Sequence, residues 1–282
     1  MHRNFLAILC LNFLACFMSF PSQAQPTAGI DRLYVLECGH GVAPDQGRFS
    51  PGINDGKPAA FADDCYLIRH AKGYFLWGTG VPDRFLTIPA GVPSYGGRPN
   101  WVVTRGLAKQ LEQISVMPSE VRYVGIANSH IDHVGNLDMF PAAKVLIQRS
   151  ELKFWRSRPS AVGMPGDQQL KGSLDFMEID GDQDVFGDGS MMLIATPSVS
   201  PGDQSLLVKL PKTGSILLSG DLIHFQYHWD HRAVPGNVDD KEMGAQSIKR
   251  LSAIVAQHGA QLWIQHDKAQ SESRKFAPDF YD

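Results

Sequence analysis

Apolar residues recur along this chain at two spacings. Alternation with period two marks a strand at Arg32 to Glu37, and Cys65 to His70 with Tyr74 to Trp77 reads as a hairpin around Ala71-Lys72-Gly73. Val121 to Ala127 is an apolar run with the length of a buried strand, and Lys144 to Gln148 forms another. Four strand-like runs follow at Asp175 to Ile179, Met191 to Thr196, Ser205 to Leu210 and Ser215 to Ser219, and Ala260 to Ile264 closes the series. Helical spacing appears over Thr104 to Ile114, through Leu107, Leu111 and Ile114, and over Asp239 to Gln257, through Met243, Ile248, Leu251 and Ile254. A short helix is predicted near Leu137 to Phe140, and Ser150 is the expected N-cap of a helix at Glu151 to Trp155.

Between these elements, Cys38-Gly39-His40-Gly41 is expected to break the first strand, with a Gly/Pro/Asp-rich loop running to about Asp64. Pro89 to Pro99 and Arg156 to Gly172 read as further loops, the second placed at the mouth of a site. Periodicity alone gives a mixed α/β domain; two series of strands, each with helices and joined through long loops, suggest two central sheets.

Met1 to Ala24 stands apart from this pattern. Arg3 gives a positive start, Phe5 to Phe20 is almost wholly apolar, and Ser22-Gln23-Ala24 supplies small residues for cleavage before Gln25. These are the marks of a secretory signal peptide, which predicts a periplasmic or secreted protein with residues 25–282 as one domain. Removing the signal leaves 25 basic against 29 acidic side chains, a net charge of −4. That balance excludes the usual signatures of nucleic-acid or anionic-membrane partners and favours a small-molecule substrate. Of four cysteines, Cys10 and Cys16 leave with the signal, and Cys38 and Cys65 are candidates for pairing in an oxidising compartment.

The chemistry concentrates in Asn128-Ser129-His130-Ile131-Asp132-His133-Val134-Gly135-Asn136, directly after an apolar strand. Two imidazoles and a carboxylate within four residues can converge on one face of a turn, a donor set that suits zinc better than calcium or magnesium. The competing reading is a polar loop with two surface histidines and a helix-capping aspartate.

Downstream landmarks decide between them. The order His130-Ile131-Asp132-His133, Thr196-Pro197-Ser198-Val199-Ser200-Pro201-Gly202, Ser219-Gly220-Asp221 and Ile264-Gln265-His266-Asp267 resembles the metallo-β-lactamase superfamily. Gly80-Val81-Pro82-Asp83 and Leu262-Trp263-Ile264-Gln265-His266-Asp267 resemble its N-acyl-homoserine-lactone lactonase branch. The resemblance implies a four-layer αββα sandwich with a metal site at one edge between the sheets. It also implies two zinc ions, one on three histidines and the other on an Asp, two His and a bridging Asp.

This chain matches that pattern unevenly. The second site is complete as Asp132, His133, Asp221 and His266. In the first, His130 matches, but Asn128 and Val199 stand where the pattern has histidines. Gly78 replaces the Asp of a Leu-x-Asp-Thr-Gly pattern, and Asp203 replaces the second His of the Thr-Pro segment. His130 with a shared Asp221 is too few ligands for a tight zinc site, so one zinc is expected. The mono-zinc carbapenemase subclass of the superfamily is similar in carrying Asn at the first ligand position, although it keeps the histidine lost at Val199. A second ion requires a replacement ligand, for which His228 and His231 are candidates; the alternative for both is an aromatic substrate wall.

The implied reaction is lactone opening by metal-activated water. Asp132 is a candidate general base, His130 a group orienting water, and His224, three residues after Asp221, the acid for the leaving alkoxide. His40, His70 and His258 fall beside no motif and read as structural or solvated. Two other functions compete with this one: a ligand-binding protein that has lost hydrolysis, suggested by Asn128, Val199, Gly78 and Asp203, and a β-lactamase-type amide hydrolase.

Overall fold

Two mixed sheets pack face to face in the computed structural model, which describes residues 29–92, 99–157, 174–238 and 240–282. The predicted leader, residues 93–98 of the Pro89 to Pro99 loop, nearly all of the Arg156 to Gly172 loop and Asp239 lie outside the described residues. The strands are β1 (Ile30–Ala43), β2 (Ala59–His70), β3 (Gly73–Trp77), β4 (Asn100–Val102), β5 (Val121–Gly125), β6 (Lys144–Gln148), β7 (Asp175–Ile179), β8 (Gln183–Asp184), β9 (Met191–Ala195), β10 (Gln204–Leu210), β11 (Gly214–Leu218) and β12 (Gln261–Trp263). The helices are α1 (Leu107–Gln113), α2 (Ile131–Val134), α3 (Arg149–Ser157), α4 (Gln226–His231), α5 (Lys241–His258) and α6 (Lys268–Glu272).

One sheet has the order β4-β1-β2-β3-β5-β6-β7 and the other β12-β11-β10-β9-β8. Both faces of each sheet are covered, so successive residues of one strand serve different cores. In β2, Tyr66 and Ile68 join Phe75, Trp77, Leu206, Val208, Leu218 and Trp263 between the sheets. Leu67 points the other way and packs with Leu36 and Leu76 against Leu107 and Leu111 of α1 and Leu152 and Trp155 of α3. On the far side, Ile194, Leu207 and Leu217 meet Ile248 and Leu251 of α5. Each such side chain contributes about 1.5–3 kcal/mol when fully buried. The α/β four-layer sandwich expected from the sequence is the observed architecture.

Several local expectations change. β1 runs unbroken to Ala43, because the pairing shifts register between Glu37 and Gly39 and His40 to Val42 then pair with β4. The irregularity falls at Cys38, whose sulfur bonds that of Cys65 with the two Cα atoms 5.8 Å apart. β2 begins at Ala59, inside the predicted loop. Ser150 is not an N-cap: α3 already includes Arg149, and the Ser150 hydroxyl donates to Pro201 O at 3.0 Å. α5 starts at Lys241, two residues later than the periodicity suggested, where the Asp240 side chain caps it by accepting from Met243 N. His40 lies 3.6 Å from Glu37 with a third of its side chain exposed, and His70 stacks on Phe186 while contacting Asp188 at 2.8 Å, so both are structural or solvated.

A buried cation ties the C-terminal segment to β2. Arg274 donates to Asp64 Oδ2 at 2.8 Å, to the Tyr66 hydroxyl at 2.6 Å and to Ile264 O at 3.3 Å, and it lies over the Trp263 ring. Burial holds the Asp64 carboxyl above its usual range while Arg274 and Ser271 oppose that shift. Removing the cation alone leaves Asp64 buried without its counter-charge, so Arg274→Ala is expected to cost about 3–5 kcal/mol. Denaturant unfolding checks this, and an unchanged midpoint would show that the pair carries no stability.

Candidate active site

Four loops meet where strands end at one edge of the sandwich. The segment after β5 carries Asn128 to His133, the segment between β9 and β10 carries Ser198 to Asp203, the turn after β11 carries Asp221 and His224, and the segment after β12 carries His266. Strand ends suit this task because rigid ladders fix where each loop departs.

The opening motif is held from both sides. Thr79 N and its hydroxyl both donate to His133 O, at 2.8 and 3.1 Å, and Gly135 N donates to Gly80 O at 2.9 Å. Asn136 completes the lacing by donating to Thr79 O and Val81 O. Gly135 is required by this approach, since a β-carbon there would sit 2.3 Å from Gly80 O. On the other side the buried Glu151 accepts from Ser129 N at 2.8 Å, from the Ser129 hydroxyl at 2.7 Å and from Gly202 N at 3.2 Å, joining two of the four loops. No pattern in the sequence marked Glu151.

Asp132, His133 and His266 each bring one donor atom within 4.8 Å of the others, and all three are buried. Asp221 joins them: its Oδ1 is 3.0 Å from His133 Nε2 and 2.8 Å from His266 Nε2. His266 Nδ1 contacts Ala62 O at 2.8 Å, which assigns the proton to that nitrogen in the neutral ring and leaves Nε2 as a donor to a cation. Two imidazoles and carboxylates in a water-poor setting fit zinc or a similar borderline ion. The structure thus brings together Asp132, His133, Asp221 and His266.

The neighbouring position does not fit a metal. Asn128 Nδ2 donates to Asp221 Oδ2 at 3.0 Å and to Asp203 Oδ1 at 3.3 Å, while its carbonyl oxygen accepts from His130 N. Asp203 Oδ2 accepts from the Ser198 hydroxyl at 2.5 Å. Hydrogen bonds therefore close the place where a first ion would need open donors. His130 Nδ1 contacts Asp221 Oδ2 at 3.2 Å and its side chain is 17% exposed, so it faces the site while remaining reachable from solvent. His228 offers no replacement ligand: Nε2 contacts Phe49 O and the Ser50 hydroxyl, and Nδ1 accepts from His224 N and Phe225 N. His231 is exposed, stacked on Tyr227, with Nδ1 on Tyr227 O.

Charge is unevenly distributed. Burial lowers the His133 and His266 pKa values, but Asp221 above all, with Asp132, lifts them to about 10 and about 9. Burial raises Asp221, yet His133 and His266 hold it well below the carboxylate range. Burial and then Asp221 push Asp203 well above that range, against the hydrogen bonds it accepts from Ser198 and Asn128. His224 is buried against Phe49, Phe61 and His266, and burial, reinforced by His266 and His228 against the pull of Asp221, holds it well below the usual histidine value. It is therefore uncharged at neutral pH, in contrast to the resident acid expected from the sequence.

Sequence reasoning also missed Asp63. It is fully buried in β2, and burial first, then repulsion from Asp132, pushes its carboxyl up to about 8 against the opposing pull of His133 and His266. The available signal was Asp63-Asp64 inside the otherwise apolar run Ala59 to Ile68, since buried charges are costly unless used.

Such a fold, with this donor set at its edge, defines a metal-dependent hydrolase. The profile of the metallo-beta-lactamase superfamily matches residues 60–250, and the chain belongs to that superfamily. It is 30% identical to the N-acyl homoserine lactonase AttM of Azorhizobium caulinodans, over 89% of this chain and 98% of that one. An N-acyl homoserine lactonase of Bacillus cereus is 25% identical over 89% and 99% of the two chains. The crystal structure of a quorum-quenching N-acyl homoserine lactone hydrolase superposes with a TM-score of 0.77 at 25% identity, covering 90% of this chain and 99% of the other.

A cation binds His133 and His266 only in their neutral forms, whereas the metal-free site holds both protonated at pH 7. Zinc loading is thus expected to release protons, and apparent affinity to strengthen from roughly pH 6 to pH 9. Calorimetry in two buffers of different ionisation enthalpy measures both effects. Proton-neutral binding of constant affinity would contradict the charge distribution.

Proposed function

We propose that the chain is an exported lactonase that opens the ring of N-acyl homoserine lactones, with one zinc ion held by Asp132, His133, Asp221 and His266. The observation that carries this reading is the convergence of Asp132, His133 and His266 within 4.8 Å beside Asp221, next to a first position closed by Asn128. When bound, the ion supplies polarisation of the ester carbonyl and a more acidic water.

The protein's own groups do the rest. Asp132 is lightly held, its contact being His266 Nε2 at 3.5 Å, so it is the carboxylate freest to leave the donor set, make room for water and take its proton. Water adds its oxygen to the ester carbon, the ring C–O bond breaks, and the proton collected by Asp132 passes to the departing alkoxide. His130, partly exposed and anchored to Asp221, is placed to orient the incoming water. His224 acts as a neutral hydrogen-bonding group: its Nδ1 is buried with no protein partner among the described residues and so is available to a ligand.

Phe49, Phe61, Trp101 and Phe225 pack around His224 and His266. Such a wall excludes water from the reacting ester and suits an apolar acyl chain better than a polar or charged substituent. Export is supported by the signal-like residues 1–24 and by the Cys38–Cys65 disulfide, a bond that persists in oxidising compartments.

Purified, zinc-loaded chain is expected to hydrolyse a long-chain acyl homoserine lactone, releasing one acid per ring opened, which pH-stat titration follows. Asp221→Ala should lower turnover by at least about 100-fold, since it removes the group shared by both ligand histidines. Wild-type turnover no higher than that of Asp221→Ala would refute the proposed activity.

A further inference from the structure

Gly78 stands where the pattern this chain resembles carries a supporting carboxylate behind the metal ligands. Its φ is +70°, and a β-carbon placed on it meets no atom within 4 Å, so the space is open. The strand register pairs Tyr66 of β2 with Trp77 of β3. Continuing it by one residue sets Cys65 beside Gly78. Side chains two apart on a strand share a face, so Asp63 and Cys65 lie on one face of β2, beside the end of β3 that leads into Gly78.

Asp63 is 0% exposed. Its Oδ2 accepts from Val81 N at 3.0 Å, at the end of the same Gly-Thr-Gly loop that grips His133. Its Oδ1 is buried and has no hydrogen-bond partner among the described residues. The charged groups it interacts with are Asp132, His133, His266 and Asp64, and the first three are the members of the donor cluster. A buried, unpartnered carboxylate oxygen destabilises the fold, and its presence calls for a reason.

We propose that Asp63 is the positioning carboxylate of this metal site, supplied from β2 in place of the one missing at Gly78, and that it holds Asp132, His133 and His266 in register for a divalent cation. With a cation at the outer nitrogens of the two histidines, its carboxylate lies behind them as a counter-charge. It also fixes Val81, and with it the loop whose Thr79 supports the His133 backbone. This rests on the assignment of the ion to the Asp132, His133 and His266 cluster.

Asp63→Asn separates the proposal from a plain structural role. The amide keeps an acceptor for Val81 N and the volume of the side chain while removing the group that can become an anion beside a bound cation. Zinc affinity of the full chain, measured by competition with a chromophoric chelator, is expected to weaken 10–100-fold. The melting temperature of the metal-free protein should not fall, because without a cation burial pushes the Asp63 carboxyl up to about 8 and a neutral amide of the same size replaces it without a new desolvation cost. Adding Gly78→Asp to Asp63→Asn should recover affinity, since the space at residue 78 is open and Asp is one of the few non-glycine residues that take up the left-handed backbone there. Wild-type affinity in Asp63→Asn, or no recovery on adding Gly78→Asp, would overturn the proposal. So would a loss of affinity matched by a loss of metal-free stability. A wild-type chain that binds no zinc would instead overturn the assignment of the ion on which the proposal rests.

Discussion

One buried carboxylate organises this molecule's chemistry. Asp221 sits in the turn after β11 and shares its two oxygens among His133, His266, His130 and the amide of Asn128. An anion taken this far out of water survives only with full compensation, and here the compensation is the site itself. Each partner comes from a different strand end or a different position of the motif, so the carboxylate fixes four groups at once. The price of that arrangement is electrostatic strain when no cation is present, with His133 and His266 carrying protons that a metal must displace.

The sandwich exists, in functional terms, to bring those strand ends to one edge. Cores on both faces of both sheets lock the ladders, and short hydrogen-bonded bridges carry that rigidity into the loops. Thr79 and Asn136 fasten the motif to the end of β3, Glu151 fastens it to the segment before β10, and Ala62 orients His266 from β2. Asp267 extends the same logic by capping α6 while accepting from Gln226 N, which links the segment bearing His266 to the one bearing His224.

Much of this was legible in the sequence where a residue type has few other uses. His130, Asp132 and His133 in four residues, with Asp221 and His266 at family spacing, pointed to a metal site, and long apolar runs located β5, β6 and β9 to β11. Short elements without an apolar run, such as β4, β8, α2, α4 and α6, carry no pattern by which to be seen. The second half of β1 escaped because glycines read as a break, whereas a register shift at Cys38 lets the strand continue. Asp63 and Glu151 escaped for another reason: their roles depend on groups distant in sequence, and only Asp63 left a local trace, as half of a charged pair inside an apolar run. His224 was found by position, but its charge state follows from burial among aromatic rings, which only the fold reveals.

Asn128 and Asp203 acquire a definite meaning from the same geometry. As replacements for ligands they looked like damage; as hydrogen-bonded neighbours they form a network that satisfies Asp221 Oδ2 without a cation. The central claim is therefore a single-ion site on the Asp132, His133 and His266 side of Asp221. Anomalous diffraction at the zinc edge from zinc-soaked crystals tests it most directly. The account requires one strong peak, beside Asp132, His133 and His266, and none against Asn128; two peaks of comparable occupancy flanking Asp221 would contradict it.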